Sequence, residues 1–448
     1  MKNKIKKYFG ESKKLTTLVK HRLFNKLLNT SIGIANNISL TRKTSDRVIY
    51  TYLDLYAGIG YFESEKIRKY KEIDIEDKLE KFGSPLIALE AIKNFYKNFY
   101  KNNKRPKNGI DTFVLIFCES TAPELLKENV EKYIQQSPLL KKLQKKQKLI
   151  YYIHSGNWES ISSDLKKIWE ASKWGTIFVD PFALEVEGNL LTKTFSSSFF
   201  TKEVVFFLNL GHMRRGLSGG MGGFKNTAES ICKFFDIPEE VFNEIWMKIV
   251  KASEKEKLKM TEQIQVLAFI LITELISKMR RGPYECINTM LCLPWSGKRG
   301  IKNQDYYALL FSSGVPAIID SVIKEYHDCI KENKSRYNQT SLFTFYEDIL
   351  TEILKIIFPL EKNEMSLYKF LKNVWNRFYS WKAAIKEDFY PPSLKEIRDF
   401  LNKKIEEEVI KIYFNDTPLS KLKTECFKKI ENLQKTKIVF ENPETLLK

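Results

Sequence analysis

The sequence predicts an α/β protein: a parallel sheet with helices on both faces, an N-terminal helical extension, and a mostly helical C-terminal domain. Three observations predict it. Short segments that are apolar on both faces recur from residue 49 and alternate with helical periodicity, as in a sheet covered on both sides. Several of these segments run directly into a turn or an acidic residue, as strands of an open α/β sheet do at their carboxyl ends. At Glu332–Thr340 the composition becomes polar, and helical patterns dominate beyond it.

The elements follow in order. Residues 1–48 are polar and basic, with one amphipathic stretch, Leu15 to Leu28, read as a helix. Ile49 to Leu55 is the first strand. Ser84-Pro85 opens a helix to about Lys101, because Ser caps a helix start and the fixed φ of Pro suits the first helical position. Thr112 to Cys118 is the second strand, ending at Glu119, and Pro123 opens the next helix. Lys148 to Ile153, Gly175 to Val179 and Glu203 to Leu208 complete five strands. Pro238 to Ala252 and Thr261 to Met279 read as helices. The apolar run Ile264 to Ile276 is shorter than a membrane span and contains Thr273 and Glu274, so it reads as a buried core helix.

Tyr284 to Leu293 and Tyr306 to Ser312 suit an antiparallel pair closing the sheet, and Val315 to Lys331 a final helix. The sheet domain is thus residues 49–331 and the C-terminal domain residues 341–448. In the latter, Pro391-Pro392-Ser393 caps a helix ahead of a hydrophobic repeat from Leu394 to Ile412. Three helices ending in Lys437-Ile-Val-Phe440 would form a small helical bundle or a winged-helix-like module.

Of 448 residues, 43% are hydrophobic and 29% charged, which excludes a disordered chain. The net charge of +19 points to an anionic partner, nucleic acid before a membrane surface, although codon bias in an AT-rich genome would also raise Lys. The six cysteines form no CxxC pair and only four His are present, so no metal site is expected. The basic N-terminus lacks the apolar segment of a signal peptide, and a cytoplasmic protein with reduced thiols is expected.

The chemistry-bearing residues lie at strand ends. Asp54 precedes a turn with small residues at Ala57, Gly58 and Gly60, which lets a ligand approach the backbone. A dinucleotide fold would need a third glycine, absent here. The pattern is similar to the D-x-x-A-G-x-G loop of S-adenosylmethionine-dependent methyltransferases, whose amides line the methionine part of the cofactor; a tight turn without ligand would read the same way. Glu119 stands where an acid accepts hydrogen bonds from ribose hydroxyls, or is an ordinary strand-end carboxylate. Asn157 and Trp158 follow the third strand, suited to the edge and face of an adenine, or to a turn and a core.

Asp180-Pro181-Phe182 follows the fourth strand and is similar to the D-P-P-Y loop that orients an exocyclic amine, with its aromatic residue displaced. His212, Arg214 and Arg215 follow the fifth strand ahead of the glycine-rich 219–223 and suit phosphate contact, with Arg280 and Arg281 extending that face. Solvated surface charge is the competing reading. The lysines from Lys141 to Lys148 read as a solvated helix end.

Asp54-Leu-Tyr-Ala-Gly-Ile-Gly60, Gly83-Ser-Pro-Leu-Ile-Ala-Leu89, Phe178-Val-Asp-Pro-Phe182 and the late Tyr306-Tyr-Ala-Leu-Leu-Phe-Ser312 together resemble the three-Cys-motif partner protein family over about residues 50–330. The resemblance implies a Rossmann-like methyltransferase sheet, S-adenosylmethionine as cofactor, and a partner protein that carries the three-Cys motif. The expected function is methyl transfer to nucleic acid, with Asp180, Pro181 and Phe182 at the acceptor. A non-catalytic methyltransferase-like protein serving a partner or a defence complex is the other expectation.

Overall fold

The computed structural model describes residues 15–41, 47–61, 81–101, 109–181, 184, 186–196, 202–218, 221–256, 258–279, 286–293, 307–332, 350–355, 364–377, 391–427 and 430–440. Phe182, Arg280, Arg281 and the polar segment 333–340 lie outside them, as does most of the insertion after Gly60.

Seven strands form one sheet: β1 (Ile49–Asp54), β2 (Thr112–Glu119), β3 (Leu149–Ser155), β4 (Trp174–Val179), β5 (Lys202–Asn209), β6 (Ile287–Leu293) and β7 (Tyr307–Ser313). Their order is β3-β2-β1-β4-β5-β7-β6. The first five run parallel, β7 is antiparallel to both neighbours, and the register sets Asp54 beside Phe178 and Asn209 beside Tyr307. The fold is therefore mixed α/β with a mostly parallel sheet, and the closing antiparallel pair is present. The order reverses between β1 and β4, because the chain first builds outward through β2 and β3 and then crosses back.

Strand burial follows position in the sheet. β2 and β4 are buried almost throughout because helices cover both faces. β3 differs from the expected two-faced apolar strand: it is an edge strand, with Tyr152 38% exposed.

Helix α1 (Leu15–Thr41) runs well beyond the Leu15–Leu28 stretch read from sequence. It lies between α2 (Ser84–Lys101) and α11 (Pro316–Glu332), and reaches β4 and β6. Phe24 of α1 stacks on Phe178 at 4.4 Å. Deeper in, Ser31 Oγ donates to Glu203 Oε2 at 2.7 Å and bonds Tyr50 Oη at 2.8 Å, and Tyr50 Oη meets Thr176 Oγ1 at 2.8 Å. Arg22 pairs with Glu325 of α11 at 3.0 Å. These contacts make α1 a layer of the sheet domain.

Between β2 and β3 lie α3 (Pro123–Gln136) and α4 (Pro138–Lys145); α5 (Ser163–Ala171) precedes β4, and α6 (Gly188–Phe195) lies between β4 and β5. After β5 come α7 (Leu210–Leu217), α8 (Met221–Phe235), α9 (Glu239–Glu256) and α10 (Met260–Met279). α10 is long and apolar enough to cross a membrane, with 50% of its most apolar window buried inside the protein. It packs on α6, α7, α8, α9 and β7 through Leu267, Leu271, Leu275 and Met279, among others.

The C-terminal segment holds more strand than the mostly helical domain expected from sequence. Alongside α12 (Leu367–Arg377), α13 (Leu394–Glu406) and α14 (Ile430–Lys435) it holds a four-stranded antiparallel sheet, β10-β9-β11-β8. The repeat Leu394 to Ile412 splits: α13 is capped by a Ser393–Glu396 capping box and stops before Glu408, which takes φ 56°. Then Ile410 and Ile412 alternate with exposed Lys411 in β9 (Ile410–Phe414). Likewise Thr436, Ile438 and Phe440 point inward from β11 (Thr436–Phe440), so this stretch is a strand. β8 (Glu364–Ser366) and β10 (Thr417–Leu419) complete the sheet. The segment docks on the outer strand of the large sheet, where Asn288 N donates to Asn376 Oδ1 at 2.5 Å and Leu394 N donates to Asp320 Oδ1 of α11 at 2.7 Å.

Candidate functional site

The strand ends at the reversal between β1 and β4 gather most of the residues singled out above. β1 ends at Asp54, which is fully buried. Its carboxylate accepts from Tyr52 Oη at 2.8 Å and Tyr56 N at 3.3 Å, and Ser84 also bonds to it. Burial raises its pKa to about 7 against these lowering bonds, and the nearby Asp180 raises it further. Burial and Asp54 together hold the Tyr52 phenol well above its ordinary value.

The turn beyond Asp54 is built on backbone. Leu55 N donates to Phe178 O at 3.1 Å and Ala57 N to Cys118 O at 3.0 Å, tying the turn to β4 and β2. Gly58 and Gly60 take φ 60° and 72°, the left-handed region that side chains disfavour. Gly83 N donates to Gly60 O at 2.8 Å, and a Cβ on Gly83 would stand 3.1 Å from Gly60 Cα. The two glycines therefore pack backbone to backbone. Beside them a Tyr61–Phe82 bridge closes the base of the insertion. The glycine of Gly83-Ser84-Pro85 thus has a contact role, and Ser84 begins α2 while holding Asp54.

Glu119, at the end of β2, is 7% exposed. Thr121 N and Ala122 N donate to its Oε1 at 2.7 and 3.1 Å, so this oxygen ties down the turn that leads into α3. Both bonds use Oε1. Asn157 follows β3 and lies near Glu119, since Gly156 N donates to Glu119 O at 3.1 Å. The Asn157 carbonyl accepts from Ser160 Oγ at 2.8 Å. Trp158 is core: it is 1% exposed and donates Nε1–H to Tyr56 Oη at 3.0 Å, so its ring offers no open face to a base.

Asp180 follows β4, and Pro181 behind it is buried. Asp180 Oδ2 accepts from Lys20 Nζ of α1 at 2.6 Å. Lys20 is 8% exposed, and its ammonium also lies 4.1 Å from the centre of the Phe207 ring. Phe207 in turn stacks on Tyr307 at 5.3 Å with the rings 7° apart. The Tyr307 phenol is raised first by burial; Arg215 opposes this and Asp180 adds to it. A continuous column, Asp180–Lys20–Phe207–Tyr307, therefore crosses the ends of β4, β5 and β7.

His212, Arg214 and Arg215 lie on the short α7, whose start is capped by Asn209 Oδ1 accepting from His212 N at 3.3 Å. Arg215 is exposed and its charge acts on the Tyr307 phenol, whereas Arg214 is half-buried. Sequence reading missed Lys20, Phe207 and Tyr307. Lys20 is remote in the chain and looks like one more lysine of a basic terminus, while Phe207 and Tyr307 look like ordinary strand residues. The adjacency of β5 and β7 alone unites the rings. Among the described residues no group of three or more His, Cys, Asp or Glu suits a metal ion. No protein-family model, no curated protein and no solved structure matches this chain.

Proposed function

We propose that this chain is an S-adenosylmethionine-dependent methyltransferase acting on nucleic acid, akin to the three-Cys-motif partner proteins and working with a partner of that kind in the cytoplasm. One observation carries the reading: a turn with two left-handed glycines sits at the strand reversal between β1 and β4, where ligands of open α/β sheets bind. The strand order with β7 reversed is compatible with a Rossmann-like methyltransferase sheet.

The residues present fit the cofactor. Ala57, Gly58 and Gly60 would admit its methionine part, and Glu119 would take its ribose hydroxyls through Oε2, with Asn157 at the adenine side. When bound, the cofactor supplies an electrophilic methyl group. The chain's own residues orient the acceptor: Asp180 accepts a hydrogen bond from it, Pro181 stiffens the backbone there, and Phe182 would border it. Arg215, with His212 and Arg214 nearby, meets phosphate. Transfer then requires positioning and the loss of one proton.

Calorimetric titration with S-adenosylmethionine, followed by labelled methyl transfer to total RNA and DNA, tests the reading. Binding with transfer to either polymer is expected; absence of binding overturns it. The Lys20–Asp180 pair favours a second reading, a non-catalytic protein that keeps the fold for a partner, because it engages the acceptor-side carboxylate within the chain. That reading predicts binding without transfer.

A further inference from the structure

Lys20 occupies a particular place. Its ammonium donates to Asp180 at 2.6 Å and rests on the Phe207 ring at 4.1 Å. An amine on a planar ring, inserted in its stead, would make the same two contacts: N–H to the carboxylate and its ring on Phe207. We propose that Lys20 is an internal surrogate for the acceptor amine, and that the true occupant is a nucleobase bearing an exocyclic amine, of the adenine or cytosine type. This rests on the acceptor role given to Asp180 above.

The helix that carries Lys20 is anchored independently of it. Phe24 stacks on Phe178, Arg22 pairs with Glu325, and Ser31 bonds Glu203. The ammonium can therefore leave by rotation of the flexible lysine stem while α1 stays docked. The base that enters satisfies Asp180, which is 21% exposed, and the released ammonium can turn to a phosphate of the same strand. A uracil or thymine ring stacks equally well, but a carbonyl replaces the exocyclic amine and its one donor, N3–H, is flanked by two carbonyls that a carboxylate repels, so it gains little from the exchange.

The closed arrangement lowers the apparent affinity by the fraction of molecules in which the slot is open. Removing the ammonium removes that handicap for amine-bearing bases only. The experiment measures binding of single-stranded oligo(A), oligo(C) and oligo(U) by fluorescence anisotropy to the full chain and to Lys20→Met, with thermal unfolding as the check on folding. Lys20→Met is expected to bind oligo(A) and oligo(C) about tenfold more tightly than the parent, with oligo(U) unchanged. Lys20→Gln, which keeps a neutral donor to Asp180, is expected to fall between and serves if Lys20→Met does not fold. Equal changes for all three polymers, no change, or weaker binding of oligo(A) and oligo(C) would overturn the proposal. Calorimetry with S-adenosylmethionine on the same proteins separates the two claims: absence of cofactor binding sinks the methyltransferase reading, whereas cofactor binding without an amine-selective gain sinks only the role given to Lys20.

Discussion

Burial moves Asp54 up to about 7 and Lys202 down to about 7, from opposite sides. Lys202 begins β5, at the end of the strand remote from Asp180, and donates to the Trp169 and Glu170 carbonyls at the end of α5. Asp54 is raised above its unfolded value, so its stability contribution is full in acid and is lost as pH rises through about 7. Lys202 is lowered, so stability rises with pH above about 7 until the unfolded lysine also loses its proton. Between pH 6 and 8 the two slopes oppose each other, each worth about 1 kcal/mol. Denaturant unfolding should therefore show Asp54→Asn gaining stability from pH 6 to 8 and Lys202→Met losing it; parallel slopes would contradict this assignment. Gly60, at φ 72°, would place a Cβ 3.2 Å from Leu126 Cδ1. Gly60→Ala should cost about 1–2 kcal/mol in the same measurement, from the left-handed backbone alone.

At the scale of elements, docking of the C-terminal segment depends on Asn376, which accepts from Asn288 N and donates to Cys286 O at the outer strand β6. Asn376→Leu should destabilise the protein by about 1–3 kcal/mol, through a buried edge amide left without its acceptor. It should also speed hydrogen exchange at Asn288, which amide-resolved mass spectrometry would detect; unchanged exchange would show that docking has other supports. Which elements were readable follows from their surroundings. β2 and β4 are buried on both faces and announce themselves as apolar runs. The second half of α1 does not, because its buried positions include Ser31, Asn36 and Ser39, whose hydroxyls and amide are satisfied within the fold. Ser31 and Asn36 find their partners in the tertiary structure and Ser39 bonds back to Ala35 O in its own helix, so all three break the apolar stripe a sequence reader follows. The helix-to-strand switch after α13 hid for a similar reason: the left-handed residue is Glu408, where glycine would have marked the turn.

At the scale of the molecule, a net charge of +19 predicts that binding to nucleic acid is driven by release of counterions from phosphate. Three phosphate contacts on a single strand would lower affinity by roughly twentyfold between about 50 and 200 mM salt. Anisotropy titrations of an oligonucleotide across that range check this, and an affinity independent of salt would remove the basis for a nucleic-acid partner. The same measurement on Arg215→Ala should give a shallower slope if the exposed Arg215 meets phosphate.

By itself the sequence determined the alternation of strands and helices, the glycine turn after Asp54 and the acids at the ends of β1, β2 and β4. Each is a local matter of pattern, of a left-handed backbone, or of a polar residue ending an apolar run. Only the tertiary structure decided what those acids face. Asp180 meets a lysine 160 positions away because α1 crosses the end of β4, and Glu119 gives one oxygen to the turn that follows it. The column from Asp180 to Tyr307 exists because β7 returns antiparallel beside β5 and brings Tyr307 onto Phe207. Pairings of this kind depend on strand order and helix docking, which are set by burial summed over the whole sheet and leave no mark at any one residue.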